Sequence, residues 1–139
     1  MVYSVLALGS NMGNKAENLE KAYAELNNSG IETVSKSLFY HNPAYGYEDQ
    51  EDFLNSVILV KTDYTPEELL SVLKSIETKL GRVETFRWGP RIIDIDIIFY
   101  DNIIYNSEKL TIPHKDYKNR DFVLKPLEEI KKDLKMLQI

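Results

Sequence analysis

Residues 87–99 read Arg-Trp-Gly-Pro-Arg-Ile-Ile-Asp-Ile-Asp-Ile-Ile-Phe, which places two carboxylates in a run that otherwise predicts a buried β-strand. Because side chains alternate along a strand, Asp94 and Asp96 share one face, and the isoleucines next to them occupy the other. Two ionised carboxylates this close repel each other, and burying them unpaired is costly, so a cation is expected beside them. Carboxylate oxygens in a chain without cysteine favour a hard ion such as Mg²⁺, which commonly accompanies phosphate.

The residues directly upstream of the two aspartates are cationic and aromatic. Arg87 and Arg91 flank the turn Trp88-Gly89-Pro90. Arginines next to carboxylates and a metal suit a polyphosphate ligand. Two plainer interpretations stay open: the aspartates could form the solvated face of an edge strand, and the turn could be a surface loop whose arginines pair with them.

The composition limits the kind of protein. The 139 residues are 43% hydrophobic, so we expect a single domain over residues 1–139 with a sizeable core. The net charge of −5 is spread along the chain without charged blocks, which argues against nucleic-acid or membrane partners. The absence of cysteine excludes disulfides and thiolate metal sites and fits a reducing compartment. The apolar N-terminus is too short to span a bilayer, so we predict a cytoplasmic protein.

Hydrophobic periodicity and turn residues predict a βαββαβ order. Thr65 as N-cap, Pro66 at the first helical position and Glu68 at the capping-box position mark the start of the second helix. This order is that of a ferredoxin-like α+β sandwich, an antiparallel sheet with helices on one face, here with a C-terminal extension. The predicted elements are strand 2–8, helix 15–28, strand 31–40, strand 53–61, the helix after Thr65, the strand of the two aspartates, and a short helix near 122–132.

Two further groups of residues could bind ligands. Phe53 and Asn55 share a face of a strand beside the polar loop 42–52, and an aromatic ring with an amide suits a flat heterocycle such as a pterin or a purine. His114, Lys118 and Arg120 lie in a short irregular segment that could hold phosphates. The alternatives are a core phenylalanine with a solvated asparagine, and a solvated basic loop. No P-loop or Gly-x-Gly-x-x-Gly motif is present.

Four segments of the sequence stand out together: Leu8-Gly9-Ser10-Asn11-Met12-Gly13, Phe53-Leu54-Asn55, Arg87 to Arg91 running into Asp94-Ile95-Asp96, and Pro113-His114 with Asn119-Arg120. They resemble one family, the 6-hydroxymethyl-7,8-dihydropterin pyrophosphokinases of folate biosynthesis, from about residue 2 to residue 130. The resemblance implies a ferredoxin-like enzyme that transfers the pyrophosphate of ATP to the hydroxymethyl group of the pterin and releases AMP, with two Mg²⁺ ions. We expect small-molecule partners only, and nothing in the sequence requires more than a monomer.

The resemblance also implies a role for individual residues. Asp94 and Asp96 would ligate both metal ions, and Arg82 and Arg91 would act on the phosphates as catalytic residues. Trp88 would lie on a mobile loop that closes over the reactants. The implied pterin-binding residues are Asn42, Pro43, Tyr45, Gly46, Phe53, Asn55, Trp88 and Phe122. The implied ATP-binding residues are Leu70, Lys74, Glu77, Arg91, Ile97, Thr111, His114, Lys118 and Arg120.

The sequence departs from the family pattern at several positions. Glu84 stands where many relatives have a second basic residue, Phe53 where tyrosine is frequent, and Lys115 where a tyrosine often follows the histidine. Two other functions remain alternatives: a two-metal nuclease or nucleotidyl transferase built on Asp-x-Asp, and a nucleotide-binding module without catalysis.

Overall fold

The computed structural model describes residues 1–42, 52–83 and 90–137, with the side chains of 135–137 left out. Short 3₁₀ segments, Tyr117–Asn119 and Lys131–Leu137, flank the last α-helix. Among the described residues, no helix is long and apolar enough to cross a membrane. The elements are β1 Val2–Ser10, α1 Lys15–Asn28, β2 Ile31–Lys36, β3 Tyr40–Asn42, β4 Phe53–Thr62, α2 Pro66–Lys79, β5 Asp94–Tyr100, β6 Tyr105–Asn106, β7 Thr111–Ile112 and α3 Asp121–Glu129.

The main sheet has the strand order β2-β4-β1-β5, with β3 pairing beside the first residues of β4. All of its pairings are antiparallel. Gly9 of β1 lies between Asn55 of β4 and Asp94 of β5, which brings the ends of three strands together. The predicted ferredoxin-like α+β fold is therefore confirmed, and the small β6–β7 hairpin is an addition to it.

The prediction of one continuous strand over residues 31–40 is wrong, because the structure divides this stretch into β2 and β3 and leaves residues 37–39 outside both. At the break, Ser37 donates its backbone N–H to the carbonyl of Val57 at 3.0 Å, and its hydroxyl accepts the N–H of Val57 at 3.0 Å. A side-chain oxygen thus replaces a backbone carbonyl in the ladder, which serine can do at the edge of a sheet. Residues 37–39 can then leave the regular strand without an unpaired amide on β4.

The two faces of the sheet carry separate apolar clusters. α1 and α2 cover one face, where Leu6, Leu19 and Leu73 pack with Ile95 and Ile97. The C-terminal extension, with α3, packs on the opposite face against Val5, Leu59 and Ile98 of a second cluster. Strand alternation therefore directs the two aspartates of β5 to the face that carries α3.

Both long helices begin at side-chain caps. The Asn14 Oδ1 atom accepts the N–H of Glu17 at 3.0 Å before α1. At α2, the Thr65 hydroxyl accepts the N–H of Glu68 at 3.3 Å, and the Glu68 carboxylate accepts the N–H of Thr65 at 2.9 Å. This reciprocal pair is the capping box that the sequence predicts.

Replacing Thr65 with alanine tests the contribution of this cap. We expect the Thr65→Ala substitution to lower the free energy of unfolding by about 1 kcal/mol, because the N–H of Glu68 loses its acceptor. Ser75→Ala, at an exposed position inside the same helix, is the matched control and should not lower the free energy of unfolding, because alanine has the higher helix propensity. Urea titration followed by circular dichroism measures both, and equal effects of the two substitutions would contradict the capping role.

Candidate functional site

A cavity opens on the α3 face of the sheet, where the ends of β1, β4 and β5 meet the first turn of α3. Eight of its lining residues are among those that the sequence predicts for function: Asn42, Phe53, Asn55, Arg91, Asp94, Asp96, Arg120 and Phe122. The four that the sequence missed are Ala7, Leu8, Gly9 and Val123.

One wall of the cavity is a network of acids and arginines. The Asp94 carboxylate accepts hydrogen bonds from the Arg82 guanidinium at 2.8 Å and from the Arg91 guanidinium at 3.3 Å. The same Nη1 atom of Arg82 lies 2.9 Å from the Glu77 carboxylate. Arg82 is thus shared between two carboxylates, and its side chain is only 18% exposed.

Glu77 lies behind this wall. It belongs to α2, is 5% exposed, and accepts the backbone N–H of Ile95 at 2.7 Å, so that it joins the helix directly to β5. Burial raises the pKa of Glu77, while the Ile95 N–H and Arg82 favour the ionised form. The resemblance implies that Glu77 lies in the ATP site. Its carboxylate contacts protein groups in the structure, namely Ile95 and Arg82.

Asp96 is the second carboxylate on this face. Burial and the neighbouring Asp94 charge raise the pKa of Asp96 to about 7, against the opposing effects of Arg120 and Arg91. A carboxylate in this environment favours a bound cation, because a cation relieves both causes of the shift. Within the described ranges no group of three or more acidic, histidine or cysteine side chains forms a metal cage. Two carboxylates fit an ion that takes its other ligands from phosphate and water.

The opposite wall is aromatic and carries the buried amide of Asn55. Phe53 begins β4, Phe122 lies in the first turn of α3, and the Arg120 guanidinium stands 5.6 Å from the centre of the Phe122 ring. Asn55 is 6% exposed and its Nδ2 atom lies 3.5 Å from the Leu8 carbonyl. Its Oδ1 atom is buried, and no described group donates a hydrogen bond to it. Since buried acceptors are normally satisfied, this oxygen is suited to receive a donor from a ligand.

His114 is held against β5 by its backbone. Its backbone N–H donates to the Ile98 carbonyl at 3.0 Å, and its Nδ1 atom accepts the N–H of Asp116 at 3.2 Å. Burial, followed by the charge of Arg120, lowers the pKa of His114 and favours the neutral ring. Lys118 lies 6.0 Å from the Tyr117 ring centre on the 3₁₀ turn that precedes Arg120.

The remaining residues predicted for ATP are spread over other parts of the fold. Leu70 and Lys74 line a separate groove on α2, which also contains Lys109. Thr111 is partly buried in β7. Ile97 is 3% exposed and packs in the core under the helices, so its side chain does not line the cavity.

Several predicted residues lie outside the described ranges, namely Pro43, Tyr45, Gly46 and Trp88, together with Glu84. Asn11, in contrast, is a described residue that the sequence did not assign a role. Its Oδ1 atom accepts the Arg91 N–H at 2.7 Å, and its own N–H donates to the Arg91 carbonyl at 3.0 Å. The stretch Gly9-Ser10-Asn11, between a predicted strand and a predicted helix, indicates in the sequence that Asn11 lies in a turn. The sequence does not indicate that Arg91 is the partner of Asn11.

The pKa of Asp96 gives a testable effect on stability. Because the folded protein holds this proton more tightly than the unfolded chain, the free energy of unfolding should fall as pH rises from the ordinary range of aspartate to about 7. We expect Asp96→Asn to reduce this fall and to stabilise the metal-free protein near about pH 8. Urea unfolding in chelator over a pH series measures it. Asp63→Asn, on an 80% exposed side chain, is the control, and identical pH curves for Asp96→Asn and wild type would contradict the prediction.

The fold and the cavity together define a class: an α+β, ferredoxin-like protein with a carboxylate–arginine cluster facing an aromatic, amide-bearing wall. A family model described as 7,8-dihydro-6-hydroxymethylpterin-pyrophosphokinase (HPPK) matches residues 5–132. The chain belongs to this family, which confirms the resemblance seen in the sequence.

Curated relatives agree with the family model. The chain is 45% identical to the 2-amino-4-hydroxy-6-hydroxymethyldihydropteridine pyrophosphokinase of Methylorubrum extorquens over 96% of this chain and 85% of that protein. It is 43% identical to the enzyme of the same name from Haemophilus influenzae over 96% of this chain and 84% of that protein.

Solved structures share the fold. A crystal structure of Plasmodium falciparum HPPK-DHPS wild type with pteroate matches with a TM-score of 0.71 and 18% identity, over 91% of this chain and 38% of that one. A crystal structure of HPPK-DHPS in complex with substrates matches with a TM-score of 0.69 and 16% identity, over 93% of this chain and 40% of that one. The chain therefore spans about two fifths of these larger proteins, and at this identity the likeness supports the fold.

Proposed function

We propose that this chain transfers the pyrophosphate of ATP to the hydroxymethyl group of 6-hydroxymethyl-7,8-dihydropterin and releases AMP, as a step of tetrahydrofolate biosynthesis. Family membership and the names of the curated relatives support this activity. The structural observation that carries it is a cavity in which a carboxylate pair and arginines face two aromatic rings and a buried amide oxygen that no described group satisfies. We assign the activity to one pyrophosphokinase domain over residues 1–139.

The aromatic wall is the proposed pterin site. Phe53 and Phe122 would enclose the flat ring system, and the Asn55 Oδ1 atom would accept one of its N–H groups. A donor from the ligand would satisfy the buried oxygen, so binding would remove a cost that the free protein bears. Asn42, at the end of β3, lines the same cavity, and we include Pro43, Tyr45, Gly46 and Trp88 in the pterin site on the family resemblance.

The acidic and basic wall is the proposed transfer site. Asp94 and Asp96 would hold magnesium, two ions in the proposed assignment, and their oxygens match the ligands that this ion prefers. Magnesium, when bound, would supply charge neutralisation of the triphosphate and polarise the pyrophosphoryl group that is transferred. Arg91 and Arg120 line the cavity and would bind phosphate oxygens, and Arg82 would stabilise charge that develops during transfer. Glu77 would keep Arg82 in place whenever Asp94 is engaged elsewhere.

The rest of the nucleotide would extend from this wall. We propose that His114 and Lys118, on the segment leading to Arg120, contact its phosphates. Leu70, Lys74, Glu77, Ile97 and Thr111 stay in the proposed ATP site on the resemblance, although Ile97 and Glu77 could act there only through the packing of β5. We further propose that the enzyme works as a monomer in the cytoplasm, since a chain without cysteine fits a reducing compartment.

A coupled assay for AMP tests the proposed function. We expect AMP release from ATP and Mg²⁺ only when 6-hydroxymethyl-7,8-dihydropterin is present. Release of ADP would indicate an ordinary kinase, tight ATP binding without product would favour the binding module, and cleavage of DNA or RNA would favour the two-metal nuclease.

Asp94→Ala tests the metal assignment in the same assay. Loss of a carboxylate that holds magnesium should lower turnover to below about one-hundredth of wild type while the circular dichroism spectrum stays unchanged. Asp63→Ala, at an exposed position just after the end of β4 that is farther from the cavity, should retain full activity. Normal turnover by Asp94→Ala would overturn the assignment.

Phe53 allows a sharper test of the pterin site. Phe53→Ala should raise the KM for the pterin about tenfold, because the ring loses a stacking partner, and should leave the KM for ATP unchanged. Phe53→Tyr keeps the ring and should behave as wild type. Steady-state kinetics with each substrate varied in turn measures both, and an equal rise in the two KM values for Phe53→Ala would count against stacking.

A further inference from the structure

Gly9 occupies a position that neither the sequence nor the family assignment gave a role. It lies near the end of β1, with Asn55 opposite it on β4 and Asp94 opposite it on β5. It also lines the cavity. The residue is therefore at the junction of the amide wall and the acidic wall.

The space around Gly9 explains why a side chain is absent. A Cβ atom built at Gly9 would lie 2.7 Å from the Asn55 Nδ2 atom and 3.4 Å from the Phe53 Cδ1 atom. The first distance is shorter than carbon and nitrogen atoms tolerate, so the Asn55 amide would have to move. The second is a tight contact with the aromatic ring that begins β4.

The backbone itself does not require glycine here. Gly9 pairs regularly in the β1 ladder, whereas the described glycines with positive φ are Gly13, Gly30 and Gly81. In an extended strand, alanine is at least as favourable as glycine. The atom that a Cβ would strike is the end of a side chain, so the fold could adapt, but the amide would leave its present place. The need for glycine thus comes from the cavity and not from the chain.

We propose that Gly9 is a positioning residue that sets the specificity of the site, because its missing side chain lets the Asn55 amide and the Phe53 ring stand where they meet the edge of the heterocycle. The proposal rests on the proposed function, which supplies the pterin as the ligand that Asn55 meets. Gly9 acts only through these two neighbours.

Gly9→Ala tests the proposal. We expect the KM for the pterin to rise about tenfold or more, with the KM for ATP unchanged and the unfolding midpoint close to that of wild type. Calorimetric titration of the pterin, in the presence of an ATP analogue that cannot transfer its pyrophosphate, should show the same loss. A wild-type pterin KM, or an equal rise for both substrates, would overturn the proposal.

Gly30→Ala is the matched control. Gly30 has a φ of +83° and lies beside Tyr64 at the other end of the sheet, so alanine there strains the backbone. This substitution should lower the unfolding midpoint without changing the KM for the pterin, which is the reverse of the pattern expected for Gly9→Ala. A rise in the pterin KM of Gly30→Ala equal to that of Gly9→Ala would show that general destabilisation is the cause.

A double variant covers the case in which Gly9→Ala does not fold. Asn55→Ser shortens the side chain that the new Cβ would strike, so Gly9→Ala combined with Asn55→Ser should unfold at the same temperature as Asn55→Ser alone. A double variant that still fails to fold would show that the backbone needs glycine and would overturn the proposal. The outcomes also separate the two hypotheses: a wild-type protein without pterin-dependent AMP release contradicts the proposed function, whereas an active wild type with an unchanged Gly9→Ala contradicts only this inference.

Discussion

The charge balance around Asp94 is the constraint on which the rest of the site depends. Its carboxylate is close to that of Asp96, and Arg82 and Arg91 offset the repulsion from two sides. Glu77 then balances Arg82 and at the same time accepts an N–H from β5. One network therefore joins the end of α2, the start of β5 and the arginine between them. Removing one buried partner would leave another charge unpaired, which costs more than the pair contributes.

Strand alternation lets β5 serve the core and the site at once. Ile95 and Ile97 point into the cluster under α1 and α2, while the two aspartates point to the α3 side. The register between β1 and β5 shifts between Val5 and Leu6, where Ile98 is the extra residue of a bulge, and both Ile98 and Phe99 join the second cluster. The acids thus stand just past the end of the apolar part of their face, where a cavity can open without breaking the core.

The parts of the fold that the sequence predicts well are those with local causes. The Thr65 cap and the shared face of the two aspartates follow from a few neighbouring residues, and the structure contains both. Ile97 does not line the cavity for the same reason, since Ile95 and Ile97 face the helices. The break at Ser37 and the contact of Glu77 with Ile95 depend on partners 20 and 18 residues away in the chain. Such pairings become visible only when the sheet is assembled.

Two unfavourable features lie on the same cavity, and their location is informative. The Asp96 carboxylate is held where its ionised form is disfavoured, and the Asn55 oxygen is buried without a donor among the described groups. Each could be relieved by a small substitution, so neither serves the stability of the free protein. Each would also be relieved by a ligand, the first by a cation and the second by an N–H donor. The Asp96 carboxylate and the Asn55 oxygen call for different ligands. The cavity is therefore suited to bind a phosphate with its metal ion beside a heterocycle, which is the arrangement that pyrophosphoryl transfer to a pterin requires.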